Sequence, residues 1–345
     1  MGLRAGIIGT GFIGAVHAHA VRAAGGTVSR VAASTPDRAV AAAQRLGAAA
    51  ASGSAEELID ADDVDVVHVC TPNSLHVPLA RRSLDAGKPV ACEKPLATTL
   101  ADASSLAGLA RGQVATVPFV YRFYPVVREI RARVAAGDAG AVHVLHGAYL
   151  QDWQAASAPA GWRADPAEGG THRAFADVGV HWCDLAEFTS GQRITRLCAV
   201  TAESGTTTTV QLATDAGALG SVVISQSSLG RRNALLLSLD GERASYRFDQ
   251  EDPETLRIGQ VDGDLAQHRG SPSFSADSAR LSLIPPGHPQ GYQDCFNAFV
   301  ADTYAAIGGA VPEGLPTFDD GLRAAVLVDA VIRSHESGSW VEVPA

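Results

Sequence analysis

The sequence predicts an α/β protein in two parts. A doubly wound parallel sheet comes first, and an α+β domain with a large, mostly antiparallel sheet follows. Three observations lead there. Short apolar runs alternate with helical stretches over residues 1–120, as β-α alternation requires for a parallel sheet covered on both faces. The later chain instead carries consecutive β-like runs separated by tight-turn signals, the mark of antiparallel pairing. A glycine cluster, Gly9-Thr10-Gly11-Phe12-Ile13-Gly14, lies between the first apolar run and the first helix.

Residues 3–8 form a short apolar run, as a buried parallel strand should. A helix over 12–24 ends at Gly25-Gly26, a strand covers 28–33, and a helix over 36–46 is closed by Gly47. Ser54 and Glu57 have capping-box spacing for a short helix. Strands at 64–70, 89–92 and 114–120 alternate with helices at 74–86 and 99–111. After Tyr121 the pattern changes. A helix over 124–136 leads into a long strand at 142–153, and a helix spans about 175–188. Strands follow at 195–202, 206–213, 220–226, 235–239 and 244–248, with turns at Asp215-Ala216-Gly217 and Asp240-Gly241-Glu242. Residues 252–278 read as a loop region with little periodicity, and helices at 290–307 and 319–335 complete the series.

At 345 residues, with 46% hydrophobic and 19% charged, the composition is globular and accommodates two domains, 1–120 and 121–345. The net charge of −10, without a basic run, argues against a nucleic-acid partner. Five cysteines at wide spacings, with no C-x-x-C, argue against a disulfide framework or zinc knuckle and for a reducing, cytoplasmic setting. No apolar stretch reaches the ~18 residues of a membrane span. Arg4, the apolar stretch 5–16 and Ala18-His19-Ala20 imitate a signal peptide, but the glycines inside make a poor signal helix.

Those glycines fit a G-x-G-x-x-G between strand and helix. Gly9 makes the turn, Gly11 lets the backbone approach a pyrophosphate at the helix N-terminus beside Phe12 and Ile13, and Gly14 lets helix and strand pack. A Gly-rich turn in a non-binding domain of the same Rossmann architecture is the bland reading. Twenty residues past Gly14, where an acidic residue would take the ribose hydroxyls, Ser34 stands. Arg38 either meets a 2′-phosphate or is a solvated helix residue, so the cofactor is NAD or NADP. Cys70-Thr71-Pro72-Asn73 follows the 64–70 strand, at the carboxyl end where ligands sit in open α/β sheets. Thr71, Pro72 and Asn73 are therefore cofactor candidates, while Asn73 or Ser74 also suits a helix N-cap.

Glu93-Lys94-Pro95 follows the 89–92 strand, which puts Lys94 in reach of a cofactor and a substrate hydroxyl; alone it reads as a solvated turn lysine. Asp177, His181 and Asp184 stand at i, i+4 and i+7, on one helical face. A histidine with a carboxylate beside it suits removal of a hydroxyl proton as hydride leaves the same carbon. A core histidine in a capped helix is the plain alternative. Zinc or manganese ligation lacks a further His/Cys cluster to complete the shell, so no metal site is assigned. Gly179 costs helix stability, which a close ligand approach would explain.

Taken together, the Gly9–Gly14 fingerprint, Glu93-Lys94-Pro95 and the run Gly169-Gly170…Asp177-x-Gly179-x-His181-x-x-Asp184 resemble the Gfo/Idh/MocA oxidoreductases over essentially the whole chain. That family includes glucose–fructose oxidoreductase and inositol dehydrogenases. The resemblance implies an N-terminal Rossmann domain and a second domain that binds substrate and builds dimers or tetramers. It implies that Lys94 touches nicotinamide ribose and substrate, with a bond to Pro95 that is often cis, and that Asp177 and His181 form the acid-base pair. Glu93 joins the cofactor set. Asp184 is left to orient the histidine or bind substrate. Tyr121 and Arg122 resemble the segment entering the second domain, where Arg122 is structural or substrate-binding. Trp153, Trp162, Arg163, His172 and Arg173 are pocket candidates that serve equally as packing or loop surface. The implied activity is an NAD(P)-dependent dehydrogenase of a secondary hydroxyl on a sugar, inositol or related polyol. A glycosidase or lyase acting through transient sugar oxidation, and a non-catalytic dinucleotide-binding regulator, are the alternatives.

Overall fold

The computed structural model describes residues 2–155 and 174–344. By packing, the described chain divides into two compact units: 2–120 with 292–325, and 121–155 with 174–291 and 326–344.

The first unit is built on six strands: β1 (Arg4–Ile8), β2 (Thr27–Ala32), β3 (Ala50–Ala51), β4 (Val66–Val69), β5 (Val90–Cys92) and β6 (Ala115–Thr116). Their order is β3-β2-β1-β4-β5-β6, and every pair is parallel. The central strands are buried on both faces, which is why they read as continuous apolar runs. Five helices connect them: α1 (Phe12–Ala23), α2 (Pro36–Leu46), α3 (Ala55–Asp60), α4 (His76–Asp85) and α5 (Leu100–Leu109). Their ends follow local chemistry. Thr35 caps α2 by accepting from the Arg38 amide, Pro36 fills the first turn, and Gly47 closes it at φ 61°. Ser54 accepts from the Glu57 amide, while Glu57 reaches back to the Gly53 amide, one residue beyond its expected capping-box partner. The expected strand at 114–120 pairs only over β6. Thr116 then bridges Thr317, and a 3-10 turn begins at Val120.

The second unit holds α6 (Pro125–Ala135), β7 (Val142–Leu150), α7 (Val180–Ser190) and eight further strands. These are β8 (Ile194–Thr201), β9 (Thr207–Thr214), β10 (Leu219–Ser225), β11 (Ala234–Gly241), β12 (Ser245–Asp249), β13 (Thr255–Gln260), β14 (Gly263–His268) and β15 (Val341–Glu342). The sheet order is β14-β13-β12-β11-β7-β10-β9-β8-β15, and β7 and β10 form its parallel pair. Trp182, fully buried, fixes α7 on this sheet by donating from Nε1 to the Leu236 carbonyl at 2.9 Å. Gly147 makes this close approach possible, because a Cβ there would lie 2.6 Å from that nitrogen. Arg128, also fully buried, ties α6 in place through the Arg122 carbonyl and Asp277.

Two sequence expectations are corrected. Residues 252–278 are not a loop: they contain the β13–β14 hairpin and the start of α8 (Ala276–Leu281). The edge strand β14 is almost wholly exposed, so no apolar alternation marks it. Residues 292–325, expected in the second domain, pack with the first unit, because α9 (Tyr292–Ile307) lies on α1 with Phe296 edge-on to His17 at 5.1 Å. The helix α10 (Phe318–Ser337) follows it.

Candidate active site

In the first unit the strand order reverses between β1 and β4, the place where open α/β sheets bind ligands. The glycine loop follows β1, and the Thr71-Pro72-Asn73 turn follows β4. Each glycine has its own reason. Gly9 holds φ at 95°, and a Cβ there would sit 2.3 Å from the Cys70 carbonyl oxygen. At Gly14 a Cβ would lie 2.2 Å from the Gly9 carbonyl oxygen, whereas at Gly11 it would meet nothing within 4 Å among the described residues. Gly9 and Gly14 are therefore needed by the fold, and Gly11 is crowded by none of the described residues. No side chain caps α1 and no acidic residue occupies its first turn, so the amides around Phe12 and Ile13 suit an anion. Thr71 Oγ1 is buried without a hydrogen-bond partner among the described residues. An open glycine cradle, an uncapped helix start and this orphaned hydroxyl all fit a bound dinucleotide. At the end of β2, exposed Ser34 accepts from Arg38 Nη1 at 3.0 Å.

Lys94 follows β5, and the Lys94–Pro95 bond is cis. Its main chain is clamped on both sides. The Lys94 amide donates to Glu93 Oε2 at 3.1 Å, and buried His76 has Nδ1 2.7 Å from the Pro95 carbonyl oxygen and Nε2 2.9 Å from the Thr71 carbonyl oxygen, its neutral ring donating to one of the two. The loops after β4 and β5 thus meet at one buried ring. Burial pushes the thiols of Cys70 and Cys92 well up, with the Glu93 charge adding to it, so neither is a nucleophile near neutral pH.

Burial, and secondarily neighbouring His17, holds His68 well below the ordinary histidine value of 6.5; burial lowers His76 as well. The unfolded chain therefore takes up protons that these folded sites refuse. Their stabilisation is complete above pH 6.5 and is lost as pH falls below it, by up to about 1.4 kcal/mol per pH unit for each group. Urea unfolding at pH 7.5 and 5.5 should show the lower midpoint at pH 5.5, with a smaller difference in His68→Asn. An equal difference in both proteins would remove His68 as the cause.

The second unit supplies the other cluster. A π-helical turn, Phe175–Gly179, runs directly into α7. Such turns recur at functional sites. Asp177 lies on the π-turn, and His181 in the first turn of α7 is 6% exposed. The His181 ring stands edge-on to Tyr121 at 5.0 Å and tilted to Tyr149 at 6.4 Å. Because β7 and β10 run parallel, with β11 starting beside them, three strand ends deliver Gln151, Gln226 and Asn233 together. Gln226, fully buried, donates to Asp177 Oδ2 at 2.6 Å and accepts from Gln154 at 2.7 Å. Tyr121 and Tyr149 hydroxyls meet at 2.5 Å, Tyr149 donates to Asn233 Oδ1 at 2.8 Å, and Asn233 Nδ2 donates back to Tyr121 at 3.2 Å. Gln151 joins this ring to Gln226 and accepts from Trp153 Nε1 at 3.0 Å. The result is a hydrogen-bonded neutral network running from the Asp177 carboxylate to the two tyrosines beside His181.

Asp184, expected near the histidine, faces Arg122 in a two-oxygen ion pair, and that guanidinium also lies over the Phe188 ring at 4.9 Å. Gly179 does not make room for a ligand. The Phe175 ring fills the space, and a Cβ would be 2.4 Å from it, so the glycine is an internal packing requirement. Trp162, Arg163, His172 and Arg173 lie outside the described residues. Tyr149, Gln151, Gln226 and Asn233 were absent from the sequence-based candidates. Their one signal is a polar residue at or just beyond a strand end, and only the register shows that they converge. Among the described residues no carboxylate, histidine and cysteine cluster could hold a metal ion, and no helix is long and apolar enough to cross a membrane.

Residues 3–120 match the family model described as an oxidoreductase family with an NAD-binding Rossmann fold, and residues 127–247 match the GFO/IDH/MocA C-terminal domain. A levoglucosan dehydrogenase from Pseudarthrobacter phenanthrenivorans is 28% identical, over 99% of this chain and 98% of its own. An inositol 2-dehydrogenase from Rhizobium meliloti is 29% identical over 97% of both. Among solved structures, a levoglucosan dehydrogenase in complex with NADH and L-sorbose superposes with a TM-score of 0.92, at 28% identity over 99% of each chain. An oxidoreductase domain protein from Kribbella flavida gives 0.93, at 32% identity over the whole of both.

Proposed function

The chain belongs to the Gfo/Idh/MocA family of NAD-binding oxidoreductases, and from that premise we propose that it is a dehydrogenase of a secondary hydroxyl on a neutral sugar, inositol or related polyol. The observation that carries this reading is the amide and phenol network joining Asp177 to Tyr121 and Tyr149 beside His181. Neutral donors and acceptors of this kind suit a substrate made of hydroxyls, and levoglucosan, inositol and sorbose, named with the relatives, are all neutral polyhydroxylated molecules. A nicotinamide dinucleotide held by the glycine loop would supply the hydride acceptor. His181 takes the hydroxyl proton as the carbonyl forms. Asp177, its carboxylate fixed by Gln226, accepts a substrate hydroxyl. Lys94 donates to the reacting oxygen and stabilises the alkoxide charge. Arg122 holds the chain entering the second unit through Asp184, while Trp153, 41% exposed, lines the sugar pocket.

Incubation with a panel of sugars and inositols and either dinucleotide, followed at the reduced-nicotinamide band, tests this. Turnover with net cofactor reduction on a neutral polyol is expected. Substrate consumption without net reduction would replace the reading with redox-neutral lyase or glycosidase chemistry, and cofactor binding without any reaction would leave a regulator. The absence of an acidic residue at Ser34, with Arg38 bonded to it, favours tolerance of NADP. Ser34→Asp should shift preference from NADP to NAD by about tenfold, the ~1.4 kcal/mol of one charge-assisted contact. An unchanged ratio would place the 2′-position elsewhere.

A further inference from the structure

One buried chain of side chains has no part in the chemistry assigned so far. Tyr304 on α9, His68 on β4, His17 on α1 and Glu93 after β5 come from four separate elements, and none is more than 9% exposed. The Tyr304 hydroxyl lies 3.0 Å from His68 Nε2, His68 Nδ1 lies 2.8 Å from His17 Nδ1, and His17 Nε2 lies 3.1 Å from Glu93 Oε1. The other carboxylate oxygen of Glu93 accepts the Lys94 amide at 3.1 Å. Gly26 makes room for the tyrosine, since a Cβ there would sit 2.9 Å from its ring.

With both rings singly protonated and Glu93 ionised, the direction of each bond follows. An ionised carboxylate only accepts, so His17 must give it Nε2–H. The Nδ1 of a neutral His17 is then an acceptor, and His68 must present Nδ1–H to it. That leaves His68 Nε2 to accept the Tyr304 proton. In this arrangement all donors point towards Glu93 and each buried nitrogen is satisfied. The opposite polarity requires Glu93 to be an acid, and it sends the Tyr304 proton to no acceptor among the described residues.

We propose that Tyr304, His68 and His17 form a one-way hydrogen-bond relay that holds Glu93 as a fixed carboxylate and, through the Lys94 amide, sets the place of Lys94. All three are positioning residues, and this use of the relay rests on the role assigned to Lys94 above. The relay is not a proton path. Passing a proton to Glu93 would leave a buried tyrosinate, whereas burial pushes the Tyr304 hydroxyl up and holds His68 neutral. With His76 on the Pro95 carbonyl, the lysine is flanked by two buried histidine anchors, one reaching it through a carboxylate and one through a carbonyl.

Two measurements test the proposal. Side-chain nitrogen NMR of the whole wild-type protein should find His17 with its proton on Nε2 and His68 with its proton on Nδ1. The reverse tautomers, or a doubly protonated ring at neutral pH, would overturn the relay. Tyr304→Phe removes only the terminal donor. It should lower kcat about tenfold while KM for the polyol and Kd for the dinucleotide change less than twofold. Unchanged kcat would overturn the positioning role, and so would a loss confined to thermal stability. Failure of the wild-type protein to oxidise any polyol would instead count against the proposed activity, and the tautomer measurement would still decide the relay.

Discussion

Lys94→Ala is expected to lower kcat by about 10²–10³-fold, the usual cost of removing one donor to a developing oxyanion, while dinucleotide affinity stays within about threefold of wild type. The main chain around this residue is held independently of its side chain. Glu93 receives the Lys94 amide, and His76 holds the Pro95 carbonyl. Truncation therefore removes the ammonium without releasing the loops after β4 and β5. Isothermal titration with dinucleotide separates binding from turnover in the same protein. His181→Asn, measured beside it, should cost about 10²–10⁴-fold as an acid-base loss. The two losses should fall short of multiplying in the double variant if, as proposed, both residues serve one hydroxyl. Turnover undiminished in Lys94→Ala would remove this lysine from the chemistry and with it the central premise of the assigned reaction.

The glycine loop gives the second large effect, and here a pair of variants discriminates. Gly14→Ala places a methyl group 2.2 Å from the Gly9 carbonyl oxygen, between α1 and the turn that precedes it. A backbone atom cannot swing aside, so the helix must shift from the strand. The expected cost is ~1–3 kcal/mol of stability, together with a loss of dinucleotide affinity of about a hundredfold or more as the first-turn amides move from the pyrophosphate. Gly11→Ala meets no atom of the described residues within 4 Å. It should leave the unfolding midpoint almost unchanged and still weaken dinucleotide binding, because the methyl occupies space the ligand needs. Equal binding in wild type and Gly11→Ala would mean that the cradle holds no phosphate.

Both variants rest on a motif legible in the sequence, since a glycine fingerprint between an apolar strand and a helix has few other uses. The parallel sheet was legible for a related reason: strands buried on both faces become unbroken apolar runs, as 66–69 and 90–92 do. What escaped has no local signature. The β14 strand is exposed and does not alternate. The π-turn inserts a residue where helical spacing was assumed regular, and Asp177, His181 and Asp184 each find separate neighbours in Gln226, the two tyrosines and Arg122. Gly179 suggested space for a ligand, but that space belongs to Phe175. His17 and His68 are 51 residues apart, each surrounded in sequence by apolar neighbours, and only strand β4 packed against helix α1 makes them a pair. Gln151, Gln226 and Asn233 became neighbours only through the register of β7, β10 and β11.

The packing of α9 on α1 bears on how this protein is made. The buried face of α1 carries Val16, His17, Ala20 and Val21, and Phe296 and Tyr304 help to enclose the histidine pair behind it. A ribosome that has released residues 1–120 has therefore not yet supplied what shields the back of the nucleotide-binding half. That half waits from residue 120 to residue 292 for α9 to begin, a contact of high sequence separation and correspondingly slow to form. A fragment cut at residue 120 would present to water a surface that the complete chain encloses.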